Sequence, residues 1–223
     1  MAEQADAADL KSAGVILVGS SPTPGISLGI KMAWLIVVLG YFIGSIPTAH
    51  IAGRILKRVD IRRIGDGNMG AANAFRQLGA KVGVAVGIID AAKGAAAVLI
   101  AQAASLPLLV VLSTGVAAVI GHNWPVFLGF RGGRGESTTI GVLLALLTQP
   151  MLIIAGPAIA AHFILRDTTK AAAFIFVPLP LVCWWLGVSG ALIAYSIGLP
   201  CLVGFTHFLR TRWAVNTSRT RGA

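Results

Sequence analysis

Residues 82–104 read VGVAVGIIDAAKGAAAVLIAQAA, an apolar run interrupted only by Asp90, Lys93 and Gln102. As an α-helix rising 1.5 Å per residue, such a run covers the ~30 Å hydrocarbon core of a bilayer. It lacks the strict alternation of a half-buried strand. Its two flanks differ in charge. Upstream stands a basic cluster, Arg54 to Lys81, whereas the downstream connection Gln102–Pro107 holds no Lys or Arg.

The same asymmetry continues outward. After Lys31 the basic residues fall in four clusters, Arg54 to Lys81, Arg131 with Arg134, Arg166 with Lys170, and Arg210 to Arg221, and only Lys93 stands apart. The alternate connections Gln102–Pro107, Thr148–Pro150 and Gly187–Gly190 carry none. Apolar windows predict spans near 32–56, 82–104, 107–121, 137–148, 150–165, 171–187 and 189–209, with a turn at Thr148-Gln149-Pro150. The expectation is an all-α integral membrane protein of about seven transmembrane helices. Under the positive-inside rule its N-terminus lies outside and its C-terminus in the cytoplasm.

Composition agrees. Of 223 residues, 56% are hydrophobic and 12% charged, against about a quarter charged in an ordinary soluble domain. The net charge of +10 therefore reads as topology and attraction to anionic membrane lipid, not nucleic-acid binding, since no soluble basic domain exists to hold a duplex. Residues 1–30, with Glu3, Asp6, Asp9 and a Ser-Pro-Thr-Pro-Gly run at Ser21–Gly25, read as a loosely ordered outer tail. Residues 31–210 form the membrane domain and 211–223 a basic cytoplasmic tail. Cys183 and Cys201 lie inside apolar spans and imply neither a disulfide framework nor a metal site. Glycines spaced by four, Gly40/Gly44 and Gly83/Gly87, predict close helix packing.

Chemistry then has to sit in the basic loops. The first, VDIRRIGDGNMGAANAFR at 59–76, matches the dinucleotide fingerprint at Gly65, Gly67 and Gly70, with Asp90 about twenty residues on. The context excludes that reading: no strand precedes the glycines, and Asp90 lies within an apolar span. Two readings remain. One is a phosphate site, with converging backbone amides, a helix starting near Ala71, and Arg62, Arg63 and Arg76 nearby; the other is a glycine-rich turn flanked by topogenic arginines. The second loop, GHNWPVFLGFRGGRGEST at 121–138, favours the first reading. Four glycines in seven residues, Gly129 to Gly135, exceed what a chain reversal needs. Two such loops on one face predict a site for two phosphate groups.

Here the chain resembles the bacterial membrane glycerol-3-phosphate acyltransferases that use acyl phosphate, the PlsY family, from about Gly40 to Arg219. Gly44-Ser45-Ile46-Pro47 followed by Gly67-Asn68-Met69-Gly70-Ala71-Ala72-Asn73 is similar to GSIP and SGNxGATN. Asp90-Ala91-Ala92-Lys93-Gly94 resembles DxxKG, and Gly121-His122 through Thr138 resembles GHxxPxFLxFKGGKGVAT. The resemblance implies acyl transfer from acyl phosphate to glycerol 3-phosphate, giving lysophosphatidate and phosphate, with no cofactor and no metal. A mixed anhydride needs no enzyme nucleophile, only orientation, charge neutralisation and a proton acceptor, for which the family leaves open a substrate phosphate oxygen.

The site it implies has Asn68 with the Gly67 and Gly70 amides as the acyl-phosphate cradle. Ser45, Arg131 and Arg134 would hold glycerol 3-phosphate, the arginines standing where the family has lysines. Asn73, Arg76, Lys93, His122, Gly132, Gly133 and Asn216 complete it. The chain departs from the pattern at Asp66, a carboxylate in place of serine that is expected to repel phosphate, at Ala72, and at Glu136. The third motif, RHxxNIxR, persists as Arg212-Trp213-Ala214-Val215-Asn216-Thr217-Ser218-Arg219, with Trp213 for histidine; Glu136 is a candidate substitute for that motif's glutamate.

Asp90 and Lys93, three apart and so on one helix face, read as a functional pair or as a structural ion pair. His162 and Asp167 match the HxxxxD spacing of another acyltransferase class without its companion motif, and are read as coincidence. His50 and His207 are expected to be packed or interfacial. Two other function classes stay open: a transporter or flippase for a phosphorylated small molecule, and a relative whose site has drifted from catalysis.

Overall fold

The computed structural model describes residues 24–165 and 168–220. The chain divides into two units, Met1–Ala33 and Trp34–Ala223. The described part of the first is the start of helix α1, and the cavities and contacts described below belong to the second. Among the described residues all regular structure is helical: α1 Pro24–Gly44, α2 Thr48–Lys57, α3 Ala71–Leu78, α4 Ala80–Ala103, α5 Leu108–Asn123, α6 Glu136–Leu146, α7 Thr148–Leu165, α8 Thr168–Phe176, α9 Leu179–Trp185 and α10 Gly190–Thr220. Short 3-10 turns cover Ile61–Arg63 and Val126–Leu128.

The protein is an integral membrane protein, but the segments are unequal. Among the described residues four are long and apolar enough to cross a bilayer, Lys31–Lys57, Ala80–Ala103, Leu108–Leu128 and Gly190–Arg210. The apolar helices Glu136–Leu146, Thr148–Ala161 and Lys170–Trp185 are shorter. An 11-residue helix such as α6 rises only about 16 Å, roughly half the hydrocarbon thickness.

Three expected segments differ in detail. The span expected over 32–56 corresponds to Lys31–Lys57 but contains a break between α1 and α2 at Ser45-Ile46-Pro47, because Pro47 has no N–H to donate and biases Ile46 away from helical geometry. Thr148-Gln149-Pro150, expected as a turn, forms the first turn of α7, where a proline is tolerated; the break falls at Leu147 alone (φ −128°, ψ 48°). The span expected over 171–187 is interrupted between Phe176 and Leu179, where Pro178 stands.

Helix α4 is the element on which the site is built. Its Gly94 lies against the Thr138 carbonyl of α6, while Gly141 of α6 lies against the Ala91 carbonyl of α4, so a Cβ at either position would collide with backbone. Paired contacts of this kind bring helix axes close where no hydrophobic effect drives association. Gly44 approaches Ala118 of α5 in the same way. The apolar core beyond, with Val98, Val119, Val142, Leu143, Leu179 and Cys183 fully buried, fixes α4, α5, α6 and α9 together.

Candidate active site

Asp60 organises the first basic loop. Its carboxylate accepts from the backbone N–H of Arg62 (3.1 Å) and from the Arg62 Nε and guanidinium (3.0 and 2.7 Å), with His50 Nδ1 at 3.3 Å and Arg54 at 3.6 Å. The Arg62 guanidinium holds the Asp60 carboxyl well below the usual carboxylate range. Arg62 is thus committed to the loop and not to a ligand. Asn73, fully buried, braces the same loop by donating from Nδ2 to the carbonyls of Ile61, Ile64 and Asn68. The Gly67 amide, expected in a phosphate cradle, donates instead to Ile64 O at 3.2 Å.

Asp66 also differs from expectation. Its Oδ1 accepts from the Asn68 N–H at 3.0 Å, and its Oδ2 pairs with Arg76 at 2.8 Å and lies 3.8 Å from Arg134. The carboxylate is partly neutralised and ties the two basic loops together, which offsets the repulsion expected of it. Arg76 serves this tie and is about half exposed.

The glycines of the second loop do a different job from the one their number implied. The amides of Gly132 and Gly133 donate to the Asn123 and His122 carbonyls at 3.1 and 3.0 Å. A Cβ at Gly133 would run into the His122 ring. These glycines let the loop fold flat onto the end of α5 and fix His122. Arg131 is exposed and lines neither cavity described below, whereas Arg134 turns inward, with its Nε buried and unpartnered.

The inward groups converge on a cavity of about 570 Å³. Its polar end is formed by Asn68, Gly70, Asp90, His122, Arg134, Ser137 and Glu136, the last in the first turn of α6. Both α3 and α6 begin here, at Gly70 and Gly135, and neither N-terminus has a side-chain cap. Gly87 of α4 lies between them, since a Cβ there would stand 3.3 Å from Ala71 Cβ and 3.9 Å from Ser137 Oγ. Two uncapped helix N-termini leave orphan N–H groups and positive dipole ends on one space, beside Arg134. From the polar end an apolar arm follows one face of α6, through Ile140 and Leu144, to Met151, Ala155 and Ile159 of α7 and Ile175 of α8.

A second, water-sized space of about 10 Å³ lies behind this wall, lined by Ser45, Thr48, Lys93, His122 and Gly133 among others. Ser45 is fully buried and donates to Tyr41 O at 2.8 Å, so it has no base to activate it. Lys93 Nζ lies 2.8 Å from Asp90 Oδ1 and donates to Ile46 O at 2.9 Å. The helix break at Pro47 is what frees that carbonyl. Thr48 donates to the same Asp90 oxygen at 2.9 Å, and His122 Nδ1 lies 3.6 Å from it. Of the expected site residues, Asn68, Gly70, His122 and Arg134 line the large cavity, and Ser45, Lys93, His122 and Gly133 the small one. The side chains of Asn216, Trp213 and His162, and Asp167 altogether, lie outside the described residues.

Sequence reasoning missed four features. Thr48 and Ser137 were not singled out for the site, whereas Asp90 was, through its DxxKG resemblance and its pairing with Lys93. Arg210 reaches from α10 to the Asn123 carbonyl at 2.7 Å, pinning that helix to the second loop. The apolar arm is the fourth, since its lining comes from three helices.

A membrane protein, all-helical among the described residues, whose cavity joins two uncapped helix N-termini to an apolar arm has the features of a class that handles phosphorylated amphiphiles. Known proteins narrow the class. Residues 34–219 match the family described as Glycerol-3-phosphate acyltransferase. The chain is 49% identical over 181 residues to Glycerol-3-phosphate acyltransferase 4 of Dehalococcoides mccartyi, covering 81% of this chain and 98% of that one. It is 46% identical over 145 residues to Glycerol-3-phosphate acyltransferase 2 of Moorella thermoacetica, covering 63% and 74%. A crystal structure of PlsY (YgiH), an integral membrane glycerol 3-phosphate acyltransferase, in its glycerol 3-phosphate form superposes with a TM-score of 0.70 at 31% identity, over 85% of this chain and 92% of that one. Its lysophosphatidic acid form gives 0.68 at 30%, with the same coverage. The chain belongs to the glycerol-3-phosphate acyltransferase family, and is an integral membrane acyltransferase of phospholipid synthesis.

Proposed function

We propose that the protein transfers a fatty acyl group from acyl phosphate to the 1-hydroxyl of glycerol 3-phosphate, releasing lysophosphatidate and phosphate. The observation that carries this reading is the joining, in one cavity, of two uncapped helix N-termini and Arg134 to an apolar arm. A long acyl chain ending in a phosphate matches that shape at both ends. An acyl-CoA thioester has no phosphate at its reacting carbon to occupy the helix ends. The solved relative's glycerol 3-phosphate and lysophosphatidic acid forms support the acceptor and the product.

The chemistry asks little of the side chains. The acceptor oxygen bonds to the acyl carbon, the bond from that carbon to the phosphate oxygen breaks, and phosphate leaves with the electron pair. The hydroxyl proton passes to a phosphate oxygen. Neither a Ser–His pair nor a covalent enzyme intermediate is needed, in keeping with Ser45 donating to a backbone carbonyl. Asn68, the Gly70 end of α3 and Arg134 orient and neutralise the leaving phosphate. Purified protein should therefore release phosphate from hexadecanoyl phosphate at a rate that depends on glycerol 3-phosphate; release indifferent to the acceptor would contradict the reading.

The proposed orientation, in a bacterial inner membrane, puts the N-terminus outside and the basic loops, with the site, in the cytoplasm. It rests on the distribution of Lys and Arg. In a background lacking Cys183 and Cys201, Arg131→Cys should label from the cytoplasmic face and Gln149→Cys from the outer face. The reverse would overturn the orientation.

A further inference from the structure

Three residues that line the large cavity carry buried polar atoms without partners, and two of these atoms are of opposite kind. Arg134 Nε is a donor without an acceptor, and Asp90 Oδ2 is an acceptor without a donor. The second is the more demanding. Asp90 is 1% exposed, and its other oxygen takes everything the protein offers, Thr48 and Lys93 within hydrogen-bond distance and His122 at 3.6 Å. Leaving the second oxygen bare costs the desolvation of an ionised group with nothing returned. Asn68 Oδ1, on the same wall, is bare as well, but an amide can turn to present its N–H, whereas a carboxylate offers only acceptors.

An empty acceptor needs a donor, and this decides which substrate meets it. Neither the phosphate group nor the acyl chain of an acyl phosphate has an N–H or O–H to give. A phosphate would moreover be repelled by the carboxylate. Of the two substrates only a polyol phosphate brings hydroxyls, and so a donor for Asp90.

Resting on the acyl-transfer reading above, we propose that Asp90 Oδ2 accepts the hydrogen bond of the acceptor's attacking hydroxyl and so aims it at the acyl carbon held in the same cavity. Lys93 and Thr48 then act on substrate only through Asp90, by fixing the carboxylate through its first oxygen and leaving the second unpartnered. The proton is shared with Asp90 and not transferred to it, and leaves on the departing phosphate. The site thereby sorts its two substrates by hydrogen-bond sign, the acyl phosphate's anionic oxygens at Arg134 and the helix ends, the acceptor's hydroxyl at Asp90.

The test pairs the carboxylate with the hydroxyl. Binding of glycerol 3-phosphate, propane-1,3-diol monophosphate, which keeps only the attacked hydroxyl, and propyl phosphate, which has none, is measured by calorimetry on the full chain in detergent. The parent and the variants Asp90→Asn and Asp90→Glu are compared. The parent should prefer the diol phosphate to propyl phosphate by about 10- to 100-fold, the range of a charge-assisted hydrogen bond. In both variants that preference should fall to about threefold or less. Affinity for a non-transferable acyl phosphonate, a donor analogue, should stay within about threefold, which shows the cavity intact; Asp90→Glu keeps the charge beside Lys93 if Asp90→Asn does not fold. An undiminished hydroxyl preference in the variants overturns the proposal, as does a preference that follows the 2-hydroxyl. So does equal loss of phosphonate and diol binding, the sign of a purely structural carboxylate. Absence of acyl transfer by the parent would instead sink the proposed reaction, and leaves the binding comparison readable.

Discussion

Ala155 lies on the wall of the apolar arm, one turn of α7 beyond Met151 and Leu152. Ala155→Leu would place three more carbon atoms in the space assigned to the acyl chain. The usual gain of ~0.8 kcal/mol per methylene removed from water does not set the penalty, because a displaced chain returns to lipid or detergent as apolar as the arm. Steric overlap sets it. Forcing extra methylenes into occupied space costs about 1–3 kcal/mol, or roughly 5- to 150-fold in kcat/KM. A donor with four carbons should end near the polar end and not feel the change. Initial rates of phosphate release, measured with butyryl phosphate and hexadecanoyl phosphate on parent and variant, separate the cases. The long donor should slow by at least about fivefold while the short one stays within about twofold. Equal loss on both donors, or no loss on either, would show that the acyl chain lies elsewhere.

Two further outcomes follow from the basic loops. Arg134→Ala removes a charge-assisted contact worth about 1.5–3 kcal/mol and should lower kcat/KM about 10- to 150-fold, while Arg131→Ala, whose side chain is exposed, should stay within about twofold; equal effects would mean that the cavity is not the phosphate site. Asp66→Ala removes the anchor of the Asn68 amide and should raise the Michaelis constant for acyl phosphate about 2- to 10-fold. Asp66→Ser keeps a hydroxyl able to accept that N–H and should change it less than about twofold; a clear improvement in the serine variant would restore simple repulsion as the role of Asp66.

Apolar helices were legible because a bilayer tolerates few alternatives to them, so among the described residues hydropathy located the four segments long enough to cross and the three shorter ones. Their breaks were less so. A window that averages hydropathy smooths over Pro47, although that residue announces the break which frees the Ile46 carbonyl for Lys93. Glycine counts misled in part. The letters do not say whether an amide is free, as at the uncapped start of α3, or spent on a neighbouring carbonyl, as at Gly67, Gly132 and Gly133. Arg131 and Arg134 read alike three positions apart, and only packing on His122 and Asn123 turns one inward. The apolar arm was invisible because Leu144, Ala155 and Ile175 each look like an ordinary lipid-facing position until three helices bring them together.

The claim that the polar end of the cavity recognises a phosphate carried on the reacting acyl group is tested most directly by donor choice. Purified protein in detergent, with glycerol 3-phosphate present, is given hexadecanoyl phosphate or hexadecanoyl-CoA at matched concentrations, and lysophosphatidate and inorganic phosphate are both measured. The account predicts lysophosphatidate and phosphate in a one-to-one ratio from the acyl phosphate, and at least about 100-fold slower transfer from the thioester, since the helix ends and Arg134 have no leaving phosphate to hold. Faster or equal transfer from the thioester would contradict it.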